Sequence, residues 1–487
     1  MGQRLSALVQ RDLADDPEIA GVTADSRKVA PGYLFAALPG SVVDGAEFAP
    51  KAVSAGAAAV LGGRPIADLA VPVIVSADPR RAYALAAAAF HGRQPATCVA
   101  VTGTNGKTSV AAFCRQIFAR AGLTGASMGT LGVRISHPAG GPADVQITPP
   151  GLTTPDAADV AELLARIAGQ GVTHLALEAS SHGIDQRRLD GVKLAAAGFL
   201  NLTQDHLDYH GDMAAYQAAK LRLFETLLPR GATAVLNADS DAYPAFAGAA
   251  VAAGQTVFSV GEAGQGLRLA ARTPIPGGQR LTVVADGMSR DVELPLVGGY
   301  QASNALVAAG LCLAAGLKLD DILAGLEILE GAPGRLQRIG AGPRGGEAYV
   351  DYAHTPDGLE TVLKALRPHV QGRLIVVFGA GGDRDRGKRP IMGRIAGELA
   401  DAAIVTDDNP RSEDPAAIRA QVRAGVANLT EIGDRRAAIR AAVAMLAAGD
   451  VLVVAGKGHE QGQTVAGVVH PFDDVAETAQ ALGLAHD

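Results

Sequence analysis

"TCVAVTGTNGKTS", residues 97–109, sets an apolar run directly against a glycine-rich turn, and "VAAFCRQIFARAG" continues behind it with helical character. Strand, loop and helix in that order are the context in which such a turn cradles phosphate. Gly103 and Gly106 let backbone N–H groups approach phosphate oxygens, and the start of the helix favours an anion. The loop comprises Gly103, Thr104, Asn105, Gly106, Lys107, Thr108 and Ser109. Lys107 is expected to reach the β- and γ-phosphates of ATP, and the Thr108 hydroxyl to ligate Mg2+. The general pattern asks for a glycine where this chain has Val101, so the match to the wider phosphate-loop class is imperfect. The plain alternative is a turn that caps a helix and binds nothing; the surrounding pattern weighs against it.

Around this loop the chain reads as an α/β protein. With 487 residues, 48% hydrophobic and 19% charged, it has the composition of packed globular domains. Three segments separate by pattern: residues 1–95, a central 96–332 and a C-terminal 333–487. Strand-like "HLALEAS", "AAGFLNL" and "TAVLNA" alternate with helical stretches in the centre, which predicts a mainly parallel sheet. "AYVDYA", "RLIVVFGA", "AAIVTDD" and "VLVVAGKG" repeat that alternation in the last segment. Ligands of open α/β sheets sit at the carboxyl ends of such strands. A net charge of −7 argues against nucleic-acid binding. Cys98, Cys114 and Cys312 are too dispersed for a disulfide framework or a cysteine zinc site. The first 20 residues lack the apolar core of a signal peptide, and no apolar run is long enough to cross a membrane. A cytoplasmic protein, monomeric and off the membrane, is expected. "RRAYALAAAAF" reads as a buried helix.

Further motifs end the apolar runs. Glu178, in "LEASSHGIDQRR", stands at a strand end where a Mg2+ ligand is useful. "NLTQDHLDYHG" offers Asp205, His206, Asp208 and His210; Leu207 breaks the zinc-protease pattern, and a hydrogen-bonded polar loop is the alternative. "FGAGGDRDRGKRP" lacks the third glycine of a dinucleotide fingerprint. Its Arg384, Arg386, Lys388 and Arg389 suit carboxylate or phosphate contacts, or form a solvated basic loop. "GKGHE" ends the last strong strand and belongs on the same rim, where both charge signs would suit a zwitterionic ligand.

Taken in order, "GTNGKTS", "EASSHG", "NLTQDHLDYHGDM", "DYAHTPDGLE", "GAGGDRDRGKRP", "DNPR" and "GKGHE" resemble the Mur ligases along essentially the whole chain. The resemblance implies three domains: one for the UDP end of the substrate, a central ATPase, and a Rossmann-like domain for an amino acid. It implies ATP-dependent amide formation through an acyl phosphate on UDP-N-acetylmuramoyl-L-alanyl-D-glutamate, with meso-2,6-diaminopimelate as the amine, in peptidoglycan synthesis. By the same resemblance Lys107, Lys220, His206 and Glu178 are catalytic. Thr108 and Glu178 would serve one Mg2+ and His206 a second, with Lys220 as a carbamate ligand. Without the resemblance Lys220 would read as a helix-surface lysine. Asn304, Arg335 and Asp351 match ATP contacts; Gln301 stands where an Asn is common. Ser26, Thr153, Thr154, Ser180, Gln186 and Arg188 match the UDP-muramoyl-peptide site. Arg384, Asp408, Asn409, Pro410, Arg411, Gly456 and Glu460 match the diaminopimelate site. The stretch "SHPAGGPADVQ", residues 136–146, matches no motif and reads as a variable surface loop.

"DNPR" marks diaminopimelate users within the family. A planar guanidinium at Arg411 could grip the distal carboxylate that lysine lacks. Asp408 and Asn409 could serve the far amine. A lysine-adding ligase or a folylpolyglutamate synthase is the competing reading inside the family. Outside it, a phosphate-loop switch ATPase would explain "GTNGKTS" alone, and a non-catalytic binding module would not need the metal-binding set.

Overall fold

The computed structural model describes residues 2–40, 43–424, 426 and 428–484. By its contacts the chain divides into two units, Met1–Arg268 with Leu306–Gly325, and Leu269–Ala305 with Leu326–Asp487. Both are α/β bodies built on mainly parallel sheets.

The first unit contains a small sheet in which Gly21–Thr23, Tyr33–Ala37, Ala59–Gly62 and Val73–Val75 lie side by side, each pair parallel. Leu34 and Ala36 face one apolar cluster, Phe35 and Ala37 another, so this strand is apolar throughout because both its faces are covered. Helix Pro79–His91 packs on the first of these clusters. Asp78 caps it by accepting from the Arg81 N–H at 3.1 Å, Pro79 opens it, and Gly92 closes it at φ +69°. The sequence suggests a buried helix here. Tyr83, Ala84, Ala86 and Ala87 are indeed buried, but Leu85 is 43% exposed, so only one face is covered.

The larger sheet of this unit has a parallel core in the spatial order Gly125–Gly129, His174–Glu178, Thr97–Thr102, Leu194–Phe199, Thr233–Asn237, Thr256–Gly261. The chain reaches the neighbours of Thr97–Thr102 only later, one on each side. The carboxyl end of that strand is therefore a topological switch point, where an open α/β sheet leaves a crevice. Antiparallel strands Gly132–Ser136 and Val145–Thr148 extend one edge. The stretch 136–146, expected to be a surface loop, is one only in part: Ser136 ends the first of these strands, Val145 and Gln146 begin the second, and residues 137–144 between them lie outside regular structure yet are not loose. Asp144 pairs with the buried Arg115 of the phosphate-loop helix at 2.7 Å and accepts from Ser136 Oγ at 2.6 Å.

The second unit centres on a six-stranded sheet in the order Gln337–Ala341, Glu347–Asp351, Val451–Ala455, Leu374–Phe378, Ala402–Val405, Thr430–Glu431. The first pair is antiparallel and the rest are parallel. Val451–Ala455, last of the parallel strands in sequence, sits between the first two. The carboxyl ends of these three strands form the second switch point.

Under the large sheet of the first unit, Phe246 stacks on Phe199 with ring centroids 3.6 Å apart and meets Phe224 edge-on at 5.6 Å. All three are fully buried. Phe246→Ala should lower the stability of this unit by roughly 3–5 kcal/mol in urea denaturation; a change below about 1 kcal/mol would show that the cluster collapses around the lost ring.

Candidate active site

The phosphate loop leaves strand Thr97–Thr102 at Gly103 and enters helix Lys107–Arg120 through Gly106, whose φ of +90° favours glycine. Asn201, just beyond the neighbouring strand, holds the loop. Its backbone carbonyl accepts from Thr104 N–H at 3.0 Å, its side-chain oxygen from Asn105 N–H at 2.9 Å, and its amide donates to the Asn105 carbonyl at 3.2 Å. Thr104 Oγ1 donates to the Thr203 carbonyl and accepts from the Thr203 N–H. Lys107 folds back so that Nζ donates to the carbonyls of Gly103 and Thr104 at 2.8 and 2.9 Å.

Glu178 lies beside this loop at the end of the adjacent strand and is 3% exposed. It accepts from the Thr108 hydroxyl at 3.0 Å, the Thr130 N–H at 2.8 Å and the Thr130 hydroxyl at 3.3 Å. A Cβ on Gly129 would collide with it. Thr108 and Glu178 thus form a pair of hard oxygen donors, the kind that suits Mg2+. His206 is not hydrogen-bonded to this pair. Its φ is +53°, its Nε2 lies 3.4 Å from Asp205, and its ring packs against His182 and Tyr216. Among the described residues, no three His, Cys, Asp or Glu side chains are grouped to hold a metal ion.

Lys220 is 1% exposed, inside the protein rather than on the helix surface. Its Nζ donates to the Gly103 carbonyl at 2.7 Å and lies 4.5 Å from the centre of the Tyr216 ring. Burial, and then the charge of Lys107, push its pKa well below the usual lysine range. Tyr216 joins the two features, because its OH lies 3.2 Å from Thr104 Oγ1.

Of the six residues expected to hold the UDP-muramoyl peptide, five come together as one network on Glu178. The Thr130 and Thr153 hydroxyls are 2.9 Å apart. Thr154 Oγ1 donates to the Glu178 carbonyl at 3.0 Å and pairs with Ser180 at 2.9 Å. Arg188 donates to the Thr154 carbonyl at 2.6 Å and to Gln186 at 2.7 Å; Gln186 donates to Tyr209 OH at 3.1 Å. Burial lowers the Arg188 pKa. Next to Thr154, Asp156 is held by the buried Tyr83, whose OH donates to it at 2.6 Å. Ser26 is separate from this network. It sits in the turn after strand Gly21–Thr23, between Asp25 and Arg27, which pair at 2.8 Å.

In the second unit, Asn304, Arg335 and Asp351 are also brought together. Gln301 links the first two: its oxygen accepts from Asn304 at 3.1 Å and its amide donates to the Arg335 carbonyl at 3.4 Å. The unexpected Gln301 is therefore a 1% exposed bridge. Asp351 accepts from the N–H groups of Leu336 and Ala353 at 2.6 and 2.8 Å, while burial raises its pKa to about 6. The Arg335 guanidinium lies 4.7 Å from the Tyr352 ring, which also packs on His354 and His459.

The rim expected to hold the amino acid is more divided than the sequence suggests. Arg389 is fully buried and donates to Glu413, Gln421 and the Gly381 carbonyl; Arg386 pairs with Glu413 at 3.3 Å. Lys388 donates to the His354 carbonyl at 2.9 Å. Three of the four basic residues of that loop are thus spent on the fold, and Arg384 is exposed with one bond to the Asp383 carbonyl at 3.2 Å. Asn409 is used at both ends: it donates to Glu460 at 2.9 Å and accepts from Lys457 at 3.1 Å and Thr464 N–H at 2.9 Å. Arg411 adopts φ +54°, rare for a non-glycine residue. Its backbone is stitched to the hairpin Gly462–Val465 and Val468–Pro471 through Thr464 and Ala466, and Nη1 donates to the Gly382 carbonyl at 2.8 Å. A Cβ on Gly382 would collide with the Pro410 carbonyl. Asp408 is 6% exposed, and its Oδ2 finds no hydrogen-bond partner among the described residues.

Sequence reasoning missed Asn201, Thr130, Tyr209, Tyr216, Lys457 and Tyr352. Asn201 had a signal, as the first polar residue after a strand beside the phosphate loop. Thr130 had none, since it acts across a long span of chain.

Comparison with known proteins completes this description. The family described as "Mur ligase family, catalytic domain" matches residues 18–96, "Mur ligase middle domain" residues 101–312, and "Mur ligase, glutamate ligase domain" residues 334–458. A protein of Caulobacter vibrioides named UDP-N-acetylmuramoyl-L-alanyl-D-glutamate–2,6-diaminopimelate ligase is 71% identical over 485 residues, 99% of either chain. One of the same name from a Chelativorans species is 53% identical over 96% of either chain. A solved structure of a protein of this name superposes with a TM-score of 0.76 at 34% identity, covering 99% of both chains.

The buried Lys220 gives a test that needs no substrate. Its pKa is lowered on folding, so the unfolded chain binds more protons between that lowered value and 10.5, and stability rises with pH across this window. Lys220→Met should therefore be more stable than the parent protein at neutral pH in carbonate-free buffer. Urea midpoints of the two should converge as pH approaches 10.5. A variant destabilised equally at every pH would mean the lysine is accommodated as an ordinary charge.

Proposed function

Since the chain belongs to the Mur ligase family, we propose that it joins meso-2,6-diaminopimelate to UDP-N-acetylmuramoyl-L-alanyl-D-glutamate at the expense of ATP, forming a peptidoglycan precursor. The full-length relatives that carry this name support the substrates. The observation that carries the reading is the phosphate loop at the switch point, with Glu178 and the muramoyl-peptide network on its flank.

The phosphates of ATP lie on the loop, with Lys107 released from the carbonyls of Gly103 and Thr104 to meet them. Thr108 and Glu178 would hold Mg2+, with His206 and a carbamate of Lys220 serving a second ion; bound there, Mg2+ neutralises the charge between carboxylate and triphosphate. Thr153, Thr154, Ser180, Gln186 and Arg188 orient the muramoyl peptide. An oxygen of the D-glutamyl carboxylate attacks the γ-phosphorus and ADP leaves. The amine of the amino acid then attacks the acyl carbon, loses a proton, and phosphate departs with the electron pair. Asn304, Arg335 and Asp351 are the nucleotide contacts proposed in the second unit, and Ser26 a contact to the uridine end.

Arg411 is the specificity residue in this reading. Its positive φ and its stitching to the hairpin fix where the guanidinium starts, and the carbonyl it now holds is a weaker partner than a carboxylate. Lysine offers no anion at that end. No helix among the described residues is long and apolar enough to cross a membrane, and the nucleotide substrates suit the cytoplasm.

Phosphate release by the purified protein, measured with ATP, Mg2+ and the UDP-muramoyl dipeptide, should depend on meso-diaminopimelate and be slight with L-lysine or no amino acid. Equal rates without an amine would end the ligase reading, and a preference for lysine would end the choice of substrate. Arg411→Lys should raise the diaminopimelate KM by roughly tenfold or more and leave the ATP KM within about twofold.

A further inference from the structure

A buried ion pair beneath the amino-acid rim has no part in the reaction as proposed. Arg435 opens helix Arg435–Met445, Asp474 opens helix Asp474–Leu482, and both side chains are fully buried. Nε and Nη2 of Arg435 each donate to Asp474 at 2.7 Å. Nη2 also donates to the Ala455 carbonyl at 3.0 Å, and Nη1 to the Asp407 carbonyl at 3.5 Å. Those two carbonyls belong to the residues that immediately precede Gly456 and Asp408, so the guanidinium ties together the two strand ends that carry them.

The geometry above the pair points to a cation. A Cβ on Gly456 would lie 2.5 Å from Asp408 Oδ2 and 3.5 Å from Arg435 Nη2, so the carboxylate and the guanidinium border the same small space. Arg435 nevertheless makes no hydrogen bond to Asp408; its donors go to Asp474 and to backbone. Neighbouring charges are committed as well: Lys457 and Glu460 are held with Asn409, and Lys388 donates to the His354 carbonyl. A buried carboxylate oxygen with no donor is costly, and a ligand ammonium would satisfy it. Asp474 matters here because it occupies a guanidinium that would otherwise turn to Asp408.

We propose that Arg435, held by Asp474, is a positioning residue for substrate recognition, fixing Asp408 so that its free carboxylate oxygen receives the ammonium group at the far end of the amino acid. This rests on the ligase reading above, with diaminopimelate as the amine.

The test compares kcat/KM for meso-diaminopimelate with that for 2-aminopimelate, which keeps the distal carboxylate but lacks the distal amine. The full-length enzyme should favour diaminopimelate by roughly tenfold or more. Asp474→Asn frees the guanidinium to bind Asp408, so the ratio should fall towards one, while the KM values for ATP and the UDP-muramoyl dipeptide stay within about twofold. Arg435→Lys, which keeps the charge but loses the bidentate hold on Asp474, should reduce the ratio in the same way. A purely structural pair would change all three KM values together, or kcat alone, and leave the ratio intact; either result overturns the proposal. A ratio near one in the unaltered protein overturns it without any variant. Failure of the unaltered protein to turn over diaminopimelate at all would instead remove the ligase reading on which the proposal rests.

Discussion

The backbone carbonyl of Gly103 accepts hydrogen bonds from Lys107 at 2.8 Å and from Lys220 at 2.7 Å, which leaves two amine nitrogens no farther apart than two hydrogen-bond lengths. Two charged amines at that spacing repel strongly where water is excluded. One relief is to draw Lys107 away onto a triphosphate; the other is to keep Lys220 neutral or convert it to an anion. A neutral, buried lysine is also the form that reacts with carbon dioxide. Much of the first unit's site serves this small arrangement. Gly103 has no room for a side chain beside Leu200, Tyr216 lies under Lys220 and reaches Thr104, and Asn201 pins the loop to the next strand.

Both units use the same device. In each, a strand that comes late in the chain is inserted beside one that comes early, and the polar residues gather where the strand order reverses. The first unit places Glu178 and Asn201 on either side of the phosphate loop. The second places Asp351, Asp408 and Gly456 at the ends of strands in one sheet. The chemistry expected of each differs, because one end is lined by hydroxyls, lysines and a glycine-rich loop, and the other by arginines and carboxylates.

The sequence made the strands and the phosphate loop legible because their signals are local. An apolar run followed by glycines needs no distant partner to be recognised, whereas the residues proposed to hold the muramoyl peptide were singled out only through resemblance to a family. Tyr83 with Asp156, Arg115 with Asp144, Arg389 with Glu413 and Arg435 with Asp474 were not legible at all. Each joins residues well separated along the chain, and each turns a residue that looks like surface charge or helix filler into a buried fixture. The basic loop near residue 386 shows the cost of reading charge without partners: Arg386, Lys388 and Arg389 each have a partner within the fold, and Arg384 bonds only to the carbonyl of its own neighbour Asp383. Lys220 shows the converse, since nothing in its own helix distinguishes it from a surface lysine.

The phosphate loop lies beside the network proposed to hold the muramoyl peptide, and the centre of the proposal is that ATP activates the substrate carboxylate rather than drives a conformational cycle. The direct measurement is isotopic. The D-glutamyl carboxylate of the UDP-muramoyl dipeptide is labelled with heavy oxygen, and the inorganic phosphate released during turnover with diaminopimelate is analysed by mass spectrometry. Transfer of one labelled oxygen to phosphate per amide formed is the expected result. Unlabelled phosphate would mean that water, and not the substrate carboxylate, takes the γ-phosphoryl group.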